Sequence, residues 1–131
     1  MKEFLLVSIG SFLGGGARFL VSQAVQSLLP VAFPMGTMSV NVLGCLIIGF
    51  LSALSWGDGV MSPSVKLLLT TGFCGGFTTF STFMNEGSAL MKDGHWLVMC
   101  LYVVGSIVLG MLAVLGGHYM GETLIITNKN L

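Results

Sequence analysis

Gly72-Phe73-Cys74-Gly75-Gly76-Phe77-Thr78-Thr79-Phe80-Ser81-Thr82-Phe83 sets helix-breaking and polar residues in the middle of an otherwise apolar run. The segment around it, residues 64–89, exceeds the roughly 20 residues a helix needs to cross a bilayer core. It can therefore lose some residues to non-helical backbone and still span. A broken transmembrane helix is predicted, interrupted within Gly75–Thr79 and opening at Gly75-Gly76. Backbone N–H and C=O groups released at membrane depth are costly unless something satisfies them, and such breaks line cavities, pores or ion sites. Spacing alone leaves a second reading open, a glycine-rich packing surface whose hydroxyls bond back to their own helix.

Beyond the break, Phe80 and Phe83 share a helical face, with Glu86 one turn further along the stripe. That spacing admits ordinary aromatic packing. It equally admits rings whose electropositive edges accompany a small anion through a dry constriction. A carboxylate beside an anion path repels it unless protonated, paired or turned elsewhere as an acceptor, and the residues leave those three states of Glu86 open.

Upstream, the second segment (about residues 36–56) follows Pro34 and carries Asn41 one turn past Thr37. A buried amide needs partners, either in an interhelical bond that fixes packing or as a donor to a dehydrating anion. The first segment (about 4–29) places Gly10, Gly14, Arg18, Ser22 and Gln26 at intervals of four. Arg18 there either draws an anion to a vestibule or snorkels to the headgroups. Pro30 and Pro34 end that segment, and Gly57-Asp58-Gly59 with Ser62-Pro63 form the loop before the break-bearing one.

Downstream, Lys92-Asp93-Gly94 turns the chain, and His95 and Trp96 mark an interface. The fourth segment (about 96–120) aligns Tyr102, Ser106 and Gly110 on one face. The tail after Gly121 reads as polar and frayed.

Composition agrees with membrane insertion. Of 131 residues, 54% are hydrophobic and 8% charged, with zero formal net charge, which excludes an ordinary soluble domain and a basic nucleic-acid face. The chain reads as one all-α integral membrane domain with four transmembrane helices. The initial Met-Lys and apolar run imitate a signal peptide, but three similar segments follow and Arg18 lies within the run. Cys45, Cys74 and Cys100 sit in separate apolar segments without C-x-x-C spacing, as small packing residues do. His95 and His118 lie near opposite ends of one helix, too far apart to share a metal. With no nucleophile–base pair, ligand cluster or phosphate loop, no enzyme is expected.

Three stretches resemble the CrcB/Fluc fluoride channel family in order and spacing: the break motif, Gly14-Gly15-Gly16-Ala17-Arg18-Phe19, and Gly36-Thr37-Met38-Ser39-Val40-Asn41-Val42-Leu43-Gly44. The resemblance runs from about Gly10 to the last apolar segment. It implies a passive fluoride channel in a bacterial inner membrane that lowers cytoplasmic fluoride. It implies a pore of Thr37, Asn41, Phe80, Ser81, Thr82, Phe83, Glu86 and Tyr102, with Arg18 at a vestibule. It also implies an antiparallel, dual-topology homodimer, with a structural sodium ion at its centre held by the backbone carbonyls of Gly75 and Thr78.

Physical chemistry is consistent with that picture. Fluoride is small and strongly hydrated, so a selective path needs compact donors and close walls rather than a charged ring. Four short helices are too few to enclose a path alone, so association is expected, with the Gly10/Gly14 and Ser106/Gly110 faces available for close approach. Lys2, Lys66 and Lys129 fall on the side of the termini and Lys92 and Arg18 opposite, a weak asymmetry that permits insertion both ways. The alternative is a small dual-topology, proton-coupled multidrug exporter. That mechanism wants a carboxylate early in the chain, where this sequence has Arg18. A non-transporting membrane subunit is a third possibility.

Overall fold

The computed structural model describes residues 1–55 and 60–131, and all regular structure among them is helical. Three helices are long and apolar enough to cross a membrane: α1 (Lys2–Leu28), α2 (Met35–Leu54) and α6 (Trp96–Lys129). Between α2 and α6 the chain is segmented. A short α3 (Pro63–Leu67) leads into a π-helical stretch (Leu68–Cys74), α4 (Gly75–Phe77), two extended residues, and α5 (Phe80–Lys92).

Local signals set these boundaries. Leu29 closes α1 with its N–H on the Val25 carbonyl at 2.9 Å, and Pro34 is the N-cap of α2. Ser62 caps α3, accepting from the Val65 N–H, with Pro63 in the first turn. Gly94 takes φ +79° to turn from α5 into α6, a conformation costly for a side-chain-bearing residue. The Gly57-Asp58-Gly59 turn and the Trp56 end of the second segment lie outside the described residues.

Glycine permits the closest packing. On α1, a Cβ at Gly14 would run into the Phe73 carbonyl, and one at Gly10 would lie 2.8 Å from Gly72 Cα. The α2–α6 pair, the most extensive in the chain, meets the same way, with Gly117 against the Leu46 carbonyl. The Gly10/Gly14 face expected to meet a second chain is thus filled within this one, and Gly110 likewise packs on Cys45 Sγ, 3.4 Å from a built Cβ.

Two further expectations are corrected. The break opens at Thr78–Thr79, not Gly75-Gly76. Gly75 keeps helical angles (φ −62°, ψ −37°), whereas Thr78 and Thr79 are extended. Gly76 is glycine for a different reason: a Cβ there would approach the Ser11 carbonyl of α1 to 2.5 Å. The tail after Gly121 is helical to Lys129. At about 1.5 Å per residue, the 34 residues of α6 reach about 20 Å beyond a hydrocarbon core of about 30 Å.

Candidate functional site

The break is held open by one side chain. Asn41 on α2 accepts from the Thr79 N–H through Oδ1 at 2.7 Å and donates from Nδ2 to the Thr79 carbonyl at 2.9 Å. Its amide thus gives the Thr79 N–H the acceptor it lost on leaving the helix, adds a donor to the Thr79 carbonyl, and keeps one further N–H. Thr79 then caps α5, its Oγ1 accepting from the Thr82 N–H at 3.3 Å and donating to Thr82 Oγ1 at 3.0 Å.

The carbonyls of Gly75 and Thr78 are among those this arrangement releases. In an unbroken helix the Thr79 N–H would go to the Gly75 carbonyl and the Thr82 N–H to that of Thr78. Both donors are engaged elsewhere. Gly75 is exposed, and a Cβ built on it meets nothing within 4 Å.

A second cluster surrounds Glu86. Thr37 Oγ1 donates to Glu86 Oε1 and Tyr102 Oη to Glu86 Oε2, each at 2.8 Å. Tyr102 is fully buried, its ring edge-on to Phe83 (centroids 5.0 Å apart) and to Phe33 (5.5 Å). Both Glu86 carboxyl oxygens are thus engaged by hydroxyls of neighbouring helices. Each hydroxyl has one proton, so Thr37 and Tyr102 have none left for another acceptor in this arrangement. One turn along α6 from Tyr102, Ser106 Oγ is buried without a partner among the described residues.

Two clefts flank the break. One, of about 740 Å³, is lined by Arg18, Gln26, Thr37, Thr79, Thr82 and Glu86 among others. The other, of about 400 Å³, is lined by Asn41, Gly75, Thr78, Thr79 and Phe80 among others. Thr79 lies on the wall of both.

The candidate residues are therefore gathered at one level but not on one surface. Arg18, Thr37, Thr82 and Glu86 meet in the larger cleft, and Asn41, Gly75, Thr78 and Phe80 in the smaller. Phe80 and Phe83 are close, with centroids 6.0 Å apart, yet Phe80 is 73% exposed and Phe83 only 6%. Residues three apart on a helix diverge by about 60°, enough to turn one ring into the chain and the other out. Ser81 is exposed. The residue that sequence reasoning passed over is Thr79. Its one signal was a hydroxyl three positions before Thr82, the spacing of an N-cap.

The family model described as CrcB-like protein, Camphor Resistance (CrcB), matches residues 5–118. The chain belongs to the CrcB family. Similar CrcB-type proteins carry the name Fluoride-specific ion channel FluC. One from Chlorobium phaeobacteroides is 50% identical over 118 residues, 90% of this chain and 91% of the relative. One from Chlorobaculum tepidum is 50% identical over 122 residues, 93% and 96% of the two chains. One from Bacteroides fragilis is 46% identical over 125 residues, 93% and 98%. The CrcB match contains every candidate residue from Arg18 to Tyr102.

Proposed function

We propose that this protein is a fluoride-specific passive ion channel and not an enzyme. The carrying observation is identity near 50% over about nine-tenths of both chains to proteins named fluoride-specific ion channels. Polar groups support the reading, since an apolar interior otherwise has little use for an amide at Asn41, an arginine-lined cleft and, on α6, a buried Ser106 hydroxyl without a partner among the described residues. Fluoride enters at the Arg18 vestibule, passes the break beside Asn41, and is walled by Phe80 and Phe83, with Ser81 and Thr82 as neighbouring donors. Glu86 lines the same cleft as Arg18, its carboxyl oxygens engaged by the Thr37 and Tyr102 hydroxyls, and these three complete the pore set.

The segments on either side of Thr78–Thr79 together make the fourth crossing. The working unit is an antiparallel homodimer in the bacterial inner membrane. The outward Gly75, the exposed Phe80 and the cleft between them mark the face a second copy covers. The carbonyls of Gly75 and Thr78 are hard oxygen donors without helical partners, and they suit a structural sodium ion, two from each chain. When bound, such an ion would supply positive charge and fixed geometry at the dimer centre.

The test is fluoride efflux from liposomes containing this protein alone. Passive flux selective for fluoride over chloride is expected. Proton-driven cation uptake would establish the exporter instead, and neither activity would leave a non-transporting subunit. Exhaustive exchange of sodium for a large organic cation is expected to lower flux and assembly together; unchanged behaviour would remove the ion from the reading.

A further inference from the structure

We propose that Cys45 and Cys74 make the smaller cleft a binding site for soft, thiophilic metal ions, and that a metal held there stops fluoride passage. The consequence rests on the channel reading, whereas the site does not. Both cysteines line the cleft of about 400 Å³ together with Asn41, Thr78 and Phe80. They come from different elements, Cys45 from α2 and Cys74 from the end of the π-helical stretch. The Cys45 sulfur lies near Gly110 of α6, and its chain neighbour Gly44 meets the Thr78 methyl. Cys74 lies one turn before Thr78, whose N–H and hydroxyl donate to the Cys74 carbonyl at 3.0 and 2.9 Å.

The donor set selects the ligand. Both thiols are free of disulfides, and no group of three or more His, Cys, Asp or Glu side chains gathers among the described residues. Two thiols on a cleft that otherwise offers only neutral amide and hydroxyl groups suit a soft ion content with one or two sulfur ligands, such as mercury(II) or silver(I), rather than a four-coordinate zinc centre. With mercuric chloride as the probe, a sulfur–mercury bond forms as the S–H bond breaks. A chloride leaves the metal, the proton goes to solvent, and no oxidant is needed. Cys74 is 4% exposed and lines the cleft, which is the route by which the reagent reaches it. A metal lodged there sits between Asn41 and Phe80. Cys100 is exposed on α6, outside the cleft lining, and provides an internal control.

The experiment adds mercuric chloride to proteoliposomes and follows fluoride efflux together with peptide mapping of the metal adducts. Loss of most of the flux is expected, with recovery in excess dithiothreitol and mercury mapped to Cys45, Cys74 or both. The Cys100→Ala variant should remain as sensitive as the parent, and the combined Cys45→Ala and Cys74→Ala variant should conduct and resist. Mercury found on Cys100 alone, full flux with both cleft thiols occupied, or undiminished block in the double variant would each overturn the proposal. If the double variant does not assemble, adduct mapping on the parent protein decides the site. Absence of flux before mercury is added would count against the channel reading alone, because the mapping reads the site independently.

Discussion

At the scale of single residues, the two phenylalanines separate stability from passage. Phe83 is buried edge-on against Tyr102, a contact worth about 0.5–1.5 kcal/mol beyond the area it covers, whereas Phe80 is mostly exposed in the single chain. Phe83→Ile should therefore lower both the thermal midpoint and fluoride flux. Phe80→Ile should lower flux with the midpoint nearly unchanged, since Ile keeps apolar bulk but has no electropositive ring edge. Liposome efflux paired with thermal denaturation in detergent checks both, and full flux in the two variants would reduce the rings to packing. Asn41 was legible as a buried amide in need of partners. Which partners it has was not, because Thr79 lies 38 residues away and only the packing of α2 against the break brings them together.

At the scale of elements, the broken segment depends on its neighbours for hydrogen bonds it cannot supply itself. Asn41→Ala would strip both backbone groups of Thr79, which is 8% exposed, at about 1–3 kcal/mol for each buried group left unpaired. A large fall in midpoint and loss of flux are expected. Asn41→Asp retains an acceptor for the Thr79 N–H but no donor for its carbonyl, and should fall between that variant and the parent. Equal midpoints for all three proteins would show that the amide clamp is not what holds the break. The sequence placed the interruption within four residues of its true position but chose the wrong dipeptide. A glycine pair is the strongest local break signal, yet Gly76 serves close approach to α1, and the extended residues are the two threonines.

At the scale of the whole molecule, some glycines are filled inside the chain, whereas others, Gly75 among them, meet nothing within 4 Å. Gly14→Leu is expected to abolish folding, because its side chain would run into the Phe73 carbonyl. Gly75→Leu meets open space in the single chain, so the fold should survive while dimer assembly, read by cross-linking in the membrane, is lost. A dimer that persists in Gly75→Leu would move the two-fold axis away from the break. Orientation has its own test. Several lysines added to the 58–62 loop should force one insertion and abolish flux, and co-expression with a variant carrying them in the 92–94 turn should restore it. Normal flux from either variant alone, with labelling that shows a single orientation, would sink the antiparallel arrangement.

Composition and local pattern by themselves determined the membrane class, the position of the apolar segments and the presence of an interruption. Each follows from residues adjacent in the chain or repeated at helical spacing, and the physics involved is hydrophobic length and backbone propensity. Only the tertiary structure decided that Thr79 is the hub, that Glu86 is an acceptor between Thr37 and Tyr102, and that Gly10 and Gly14 pack inward. Those outcomes turn on which helix lies against which. A one-dimensional pattern shows that a polar group must be satisfied, whereas the partner that satisfies it is set by contacts between helices distant in sequence.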